Sequence, residues 1–179
     1  EIVTALILCF MYGQFGHGIL FYKISFMTLM MFTLARIDYQ FHIIPDRIII
    51  FSFPLAFLFI GLQSIDHLVD GVIGFLVGGI GMFIVAVIGR LFYKKDAMGG
   101  GDIKLAALLG VFLGWKVLLL TLFVAFLLMT VIGWIGIAIR KIRRGSEIPM
   151  APFMTASVLI CVFYGHEILH WYFDLIIGH

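Results

Sequence analysis

The chain has 179 residues, of which 63% are hydrophobic and 12% are charged. A soluble domain is roughly half apolar and a quarter charged, so a water-soluble globule of this length could not bury so much apolar surface. Disorder is excluded because disordered chains combine low hydrophobicity with high charge. The net charge of +2 comes from basic residues scattered between apolar runs, which form no continuous face for nucleic acid. The composition therefore predicts a polytopic membrane protein in contact with lipid.

Seven apolar runs follow one another along the chain. Lipid offers the backbone no hydrogen-bond partners, so each run is predicted to be a helix. We expect an all-α bundle of about seven transmembrane helices, in a single domain over residues 1–179. A spanning helix needs about 20 residues, so several helices must extend into polar neighbours, and the fifth run is short enough for a re-entrant or protein-buried helix. The runs are Ile2–Met11, Ile19–Leu34, Ile48–Leu62, Val72–Phe92, Leu105–Leu113, Val117–Ile139 and Phe153–Leu169.

The basic residues predict the orientation of these helices. Ten of the 12 Lys and Arg lie in segments 36–47, 90–104 and 140–144. Seven crossings place all three segments on one side, which the positive-inside rule makes the cytoplasmic side, with the C-terminus outside. The chain begins with Glu1 and enters an apolar run with no positively charged segment before it. This beginning is not a signal peptide, because a signal peptide has such a segment. We expect that the natural beginning of the protein is missing from this sequence. Glycines between positions 71 and 81 predict close helix packing.

Two aspartates at the predicted cytoplasmic face suggest chemistry. Asp38 lies at the end of the second run, and Asp102 precedes the fifth. Structural alternatives exist: Asp46 and Asp102 are good helix N-caps, and Asp38 could pair with a neighbouring arginine, Arg36 or Arg47. If two carboxylates approach within hydrogen-bond distance they share one proton. The ionised carboxylate can then activate water, while the protonated one donates to a carbonyl oxygen, which is the chemistry of an aspartic peptidase.

Three motifs in order resemble the bacterial type IV prepilin peptidases, which are intramembrane aspartic proteases with a G-x-G-D signature. G-x-G-D alone is a weak pattern, but three motifs on one predicted face are far more specific. The resemblance covers nearly the whole chain. The motifs are Ile37-Asp38 with Ile44-Pro45-Asp46, then Gly99-Gly100-Gly101-Asp102-Ile103-Lys104-Leu105, then Ile148-Pro149-Met150-Ala151-Pro152-Phe153.

The resemblance implies a reaction and a set of site residues. The substrate would be a prepilin or pseudopilin, an apolar helix with a short basic leader that is cut off at the cytoplasmic face of the bacterial inner membrane. The resemblance implies no metal in the site and no cofactor for proteolysis. We expect the glycine loop to be mobile and to admit the substrate backbone. The catalytic pair maps onto Asp38 and Asp102. The substrate-binding and active-site-loop positions map onto Gly99, Gly100, Gly101, Lys104 and Asp46, and Asp46 is a recurrent family acid not usually assigned as catalytic.

Many bacterial members also methylate the new N-terminus with S-adenosylmethionine. Those members carry a preceding cytosolic segment with two zinc-binding C-x-x-C pairs, and no C-x-x-C occurs in this chain. Its two cysteines, Cys9 and Cys161, lie inside apolar runs and are expected to be buried small residues. We therefore expect methylation, S-adenosylmethionine and zinc only in a full-length protein that has this segment. The sequence predicts no oligomeric state.

Two other functions remain open from the residues. The segment His166-Glu167-Ile168-Leu169-His170 fits the zinc motif H-E-x-x-H, although a catalytic zinc needs a third protein ligand. Trp171 and Tyr172 follow it, as in an aromatic belt at the outer membrane surface. A proton- or cation-coupled transporter would use Asp38 and Asp102 as a relay, but it predicts acids along a path through the membrane. The acids of this chain lie at the two predicted faces instead.

Overall fold

In the computed structural model, residues 2–93, 99–140 and 148–177 are described. Within these ranges the regular structure is entirely α-helical, which confirms the predicted fold class. The described helices are α1 (Ile2–Phe15), α2 (Ile19–Phe41), α3 (Asp46–Gly61), α4 (Ile65–Tyr93), α5 (Gly100–Ala138) and α6 (Ala151–Ile177).

The helices are longer than the apolar runs from which they were predicted. α2 continues past the run 19–34 to Phe41, and α4 begins seven residues before Val72. Three helices are long and apolar enough to cross a membrane, namely Ile19–Phe41, Ile65–Phe92 and Gly100–Ala138. Thr4–Phe15 and Ala151–Gly165 are shorter apolar helices. The fold is therefore that of a helical membrane protein, and the count of about seven crossings stays a prediction.

The fifth and sixth predicted runs lie in one helix with a break inside it. Gly114 has φ 74° and ψ 165°, a non-helical conformation that glycine adopts without steric penalty. Ala106, before the break, and Leu118, after it, both approach Gly78 of α4. The chain therefore turns back on itself at Gly114, so that both halves of α5 pack beside α4.

Glycines let α4 and the first half of α5 touch backbone to backbone. A methyl group on Gly74 would overlap the backbone of Gly110, and one on Gly78 would overlap that of Ala106. Gly71 similarly approaches Val111. We call this contact of Gly71, Gly74, Gly78 and Gly110 the α4–α5 seam. It confirms the predicted close packing, since small residues allow the short interhelical distances on which helix association in lipid depends.

The buried core is apolar and lies between α2, α3, α5 and α6. It includes Met31, Leu34, Ile49, Leu108 and Met154. Large apolar side chains on the outer side of α4 are exposed on the protein surface, as expected for a helix that faces lipid tails. The exposed side chains of α4 include Ile80, Phe83, Ile84, Val87 and Ile88.

Candidate active site

Four helix ends meet at one end of the bundle, which we call the site end. They are the C-terminal end of α2 and the N-terminal ends of α3, α5 and α6. Three contacts hold them together: Ala151 with Asp38, Lys104 with Asp46, and Gly101 with Ile44. All the residues that were predicted for the site and that can be described lie at this end.

Asp38 is a buried residue of the last turn of α2, with 5% of its surface exposed. The helix ends three residues later at Phe41, where His42 adopts a left-handed conformation with φ 53° and ψ 34°. The His42 N–H donates to the Asp38 carbonyl oxygen at 2.8 Å. This sharp turn redirects the chain through residues 43–45 into α3, so that Asp38 stays inside the bundle.

The Asp38 side chain is bonded to the beginning of α6. Its Oδ2 accepts a hydrogen bond of 2.9 Å from the backbone N–H of Ala151. The first turn of a helix has N–H groups without intrahelical partners, and the partial positive charge there favours a carboxylate. Arg36 and Arg47 are both exposed. An ion pair of Asp38 with either arginine is not seen among the described residues.

Asp102 lies in the first turn of α5 and faces the same region. Its N–H donates to the Gly99 carbonyl at 3.1 Å, and the N-cap residue of the helix is Gly99, with no side-chain cap bond. The alternative that Asp102 is an N-cap is therefore wrong. Its carboxyl group is partly buried and lies near enough to Asp38 for the charges of the two groups to interact. The structure thus brings together the two predicted aspartates.

The predicted glycine loop is partly helical. α5 begins at Gly100, so Gly100 and Gly101 belong to its first turn, and Gly99 is the extended residue before it. A Cβ atom on Gly101 would lie 2.8 Å from the Cβ of Ile44, closer than such atoms approach in proteins. A Cβ on Gly100 would meet open space. The tight packing of Gly101 against the link between α2 and α3 is therefore what requires glycine here.

Asp46 and Lys104 join the beginnings of α3 and α5. The Lys104 Nζ donates to Asp46 Oδ1 at 2.7 Å, and the two side chains are 50% and 55% exposed. Pro45 is the N-cap residue of α3, and it makes no side-chain cap bond. Asp46 is thus the first residue of the helix and an ion-pair partner, and the alternative that it caps α3 is wrong.

Ala151 is the site residue that the sequence reasoning missed. It contributes a backbone group, so its side chain gave no signal. The two prolines around it, Pro149 and Pro152, were the available signal, because proline is common beside and within the first turn of a helix. Among the described residues, no group of three or more His, Cys, Asp or Glu could hold a metal ion. The side chains of His166 and His170 lie outside the described residues, so the zinc motif stays a prediction.

Comparison with known proteins places this chain among peptidases of one kind. The sequence model of the type IV leader peptidase family matches residues 25–134, more than half of the chain. Proteins named prepilin leader peptidase/N-methyltransferase are similar to it. The Bacillus subtilis protein is 28% identical over 179 residues, covering 99% of this chain and 70% of its own length. The Pseudomonas aeruginosa protein is 28% identical over 178 residues, covering 96% and 59%.

A Legionella pneumophila protein of the same name is 29% identical over 177 residues, covering 96% of this chain and 60% of its own length. No solved structure matches the chain. The helices are those of a membrane protein, and two aspartates lie close together at the site end, where α2 ends and α5 begins. The chain belongs to the type IV leader peptidase family. It spans about 60–70% of the length of these three relatives.

Proposed function

We propose that this protein is an aspartic endopeptidase that removes the basic leader of prepilins or pseudopilins. Asp38 and Asp102 are the catalytic pair in this proposal. The observation that carries it is the placement of both aspartates at the site end, where Gly101, next to Asp102, packs against Ile44 and the two carboxyl groups lie near enough for their charges to interact. They are 64 positions apart in the sequence, and they are the two aspartates of the family motifs.

The chemistry follows from two carboxyl groups that share one proton. The ionised carboxylate takes a proton from water, and the resulting nucleophile attacks the carbonyl carbon of the scissile peptide bond. The protonated carboxyl group donates its proton to the carbonyl oxygen. The tetrahedral intermediate then collapses as the C–N bond breaks, and the carboxyl group that took the proton from water gives it to the leaving amine. We assign no metal to this reaction and no cofactor.

The glycines before Asp102 fit this role through the packing of Gly101. Gly101 brings the first turn of α5 against Ile44. Ile44 lies in the short link that follows the last turn of α2, the turn that contains Asp38. Any side chain at position 101 would push the start of α5, and with it Asp102, away from α2. We therefore propose that Gly101 sets the separation of the two carboxyl groups.

We place the site end at the cytoplasmic face. Arg36, Arg47 and Lys104 lie at the site end, and Arg140 follows the last turn of α5. Lys23 and Lys116 lie toward the other end, so the positive-inside rule orients the site end inward. The substrate would then be an apolar transmembrane helix whose basic leader lies in the cytoplasm. The basic segments set topology in this proposal, because they would repel a basic leader.

N-methylation belongs to this proposal only for a longer protein. The relatives' names include an N-methyltransferase, and the chain covers 59% and 60% of two of them. We expect S-adenosylmethionine and zinc to depend on the cytosolic segment of the family with its C-x-x-C pairs. No residue of this chain is assigned to them.

The test is cleavage of a prepilin-like substrate, with glycine before an apolar helix, by the purified chain in detergent or liposomes. We expect Asp38→Asn and Asp102→Asn each to lower the cleavage rate by at least about 10³-fold, since an amide cannot take or give the proton. Asp46→Asn is the matched control, because it changes the same residue type at the same end and should retain cleavage within about 10-fold.

The zinc alternative enters as a further arm of this experiment. A His166→Ala/His170→Ala double variant and a zinc chelator should leave cleavage intact. If the His166→Ala/His170→Ala variant and the chelator-treated enzyme both lose cleavage while Asp38→Asn and Asp102→Asn still cleave, the reaction takes place at the zinc motif, toward the other end of α6. A well-folded wild type that does not cleave would contradict the proposed activity of this chain.

A further inference from the structure

We propose that the backbone N–H of Ala151 is a positioning group for the reaction, which holds the Asp38 carboxylate in place through Oδ2. This inference rests on the proposed function, in which Asp38 is one of the catalytic pair. It makes the beginning of α6 part of the working site, although α6 carries neither aspartate.

The first turn of α6 leaves this N–H group for Asp38. Pro152 has no N–H, and the N–H of Phe153 donates to the Met150 carbonyl at 3.1 Å. The Ala151 N–H instead donates 2.9 Å across to Asp38, 113 residues away in the sequence. Ala151 is fully buried, so water does not compete for this hydrogen bond. The donor and acceptor therefore depend on each other for their hydrogen bonding.

This bond fixes a group that would otherwise rotate. A carboxylate on a single Cβ can turn about two side-chain bonds, and catalysis requires it to face water and Asp102 in one arrangement. A hydrogen bond from a backbone N–H is rigid because the helix fixes the donor. A second anchor joins the same helices further along: the Thr155 hydroxyl shares its one proton between the Met31 carbonyl of α2, at 3.2 Å, and the Ala151 carbonyl, at 2.8 Å.

The charges around Asp38 do not supply an alternative anchor in the described part of the chain. Asp102 of α5 is of the same sign. Arg36 and His42, on and just after α2, are exposed. Lys104 of α5 is 2.7 Å from Asp46. Among the described residues, the backbone N–H of Ala151 is therefore the donor that reaches the Asp38 carboxylate.

The first test removes the N–H and leaves the side chain small. Ala151→Pro lacks this donor, and proline suits the first helical position. We expect kcat to fall about 10- to 100-fold, the range of a charge-assisted hydrogen bond, with KM changed less than about 3-fold. Thr155→Val, one turn further along α6, removes the other α2–α6 anchor and should keep kcat within about 3-fold of wild type.

The outcomes separate this inference from the proposed function. If Ala151→Pro keeps the wild-type kcat, or if Thr155→Val loses as much as Ala151→Pro, the N–H has no positioning role. A wild type that does not cleave, or an Asp38→Asn variant that cleaves at the wild-type rate, contradicts the proposed function instead.

A second measurement needs no proline and no activity. Hydrogen exchange of the Ala151 amide is followed by NMR in detergent with ¹⁵N-alanine labelling, and Ala151→Ser identifies its resonance. We expect Asp38→Ala to accelerate exchange of this amide by about 10-fold or more, because its acceptor is lost. Asp46→Ala, which removes an exposed carboxylate at the same end, should change it less than about 2-fold. Equal exchange in wild type and Asp38→Ala would overturn the proposal even if Ala151→Pro did not fold.

Discussion

The α4–α5 seam and the site end join helices in different ways. At the seam, Gly74 and Gly110 place backbone against backbone. At the site end, helices are joined by polar bonds: Ala151 donates to Asp38, and Lys104 pairs with Asp46. The seam depends on the absence of side chains alone, whereas the site end combines one such glycine contact, that of Gly101 with Ile44, with charges and hydrogen bonds.

The difference shows how a membrane protein can combine rigidity with acid–base chemistry. Glycine contacts contain no titratable group, so protonation of a carboxylate does not alter them. The seam holds the first half of α5 against α4, and Asp102 lies at the beginning of that half. The polar contacts of the site end are therefore supported by a contact that does not take part in the chemistry.

The largest expected effect comes from filling the seam. We expect Gly110→Val to lower the free energy of unfolding by at least about 3 kcal/mol, because the new side chain meets the backbone of α4, which cannot rotate away. Unfolding by SDS in mixed micelles measures this change. The control is Gly81→Val on α4, where a Cβ meets open space, and we expect a change under about 1 kcal/mol. Equal losses at both positions would mean that the seam is not a close contact.

A smaller effect is expected from the buried bond of the site end. Asp38→Ala leaves the Ala151 N–H without its acceptor inside the bundle, so we expect a loss of about 1–3 kcal/mol in the free energy of unfolding. Asp66→Ala, in the exposed first turn of α4, removes the same side chain and should lose less than about 1 kcal/mol. An increase in stability of Asp38→Ala would show that burial of the charge outweighs its hydrogen bond.

How far the sequence predicts this structure depends on the kind of contact. The apolar runs predicted the helices, because lipid leaves the backbone no other regular structure short of a barrel. The interval between runs 105–113 and 117–139 predicted a boundary, which is the break at Gly114. Three consecutive glycines, however, predicted a loop, and the structure places Gly100 and Gly101 in a helix. Packing against Ile44 overrides the low helix propensity of glycine there.

The site was predictable only in part, for a related reason. Asp38 and Asp102 could be predicted as site residues because their carboxyl groups carry out the proposed chemistry and both belong to the recognised motifs. The bond from Ala151 could not be selected, because every residue except proline has an N–H, and nothing in the sequence says which one meets a carboxylate 113 positions away. The Asp46–Lys104 pair also depends on how α3 and α5 approach each other.

The exposed ion pair should contribute less than the buried bond. We expect a double-mutant cycle of Asp46→Asn and Lys104→Met to give a coupling energy of about 0.2–1 kcal/mol, because both side chains are half in solvent. Raising the salt concentration should reduce this coupling, since ions screen exposed charges. A coupling above about 2 kcal/mol that did not respond to salt would indicate that the pair is shielded from solvent in the membrane.

The smallest expected effect is at the turn that ends α2. His42 has φ 53°, a left-handed conformation that glycine adopts more easily than residues with a side chain, and it is exposed. We expect His42→Gly to raise the free energy of unfolding by up to about 1 kcal/mol, because relief of the left-handed strain exceeds the entropy that glycine adds to the unfolded chain. Tyr39→Gly, at an exposed position inside α2, should instead lower it by about 1 kcal/mol. If both variants lose stability equally, the His42 side chain itself stabilises the turn beside Asp38. The site end would then have a further contact, in addition to its two polar bonds, that the seam lacks.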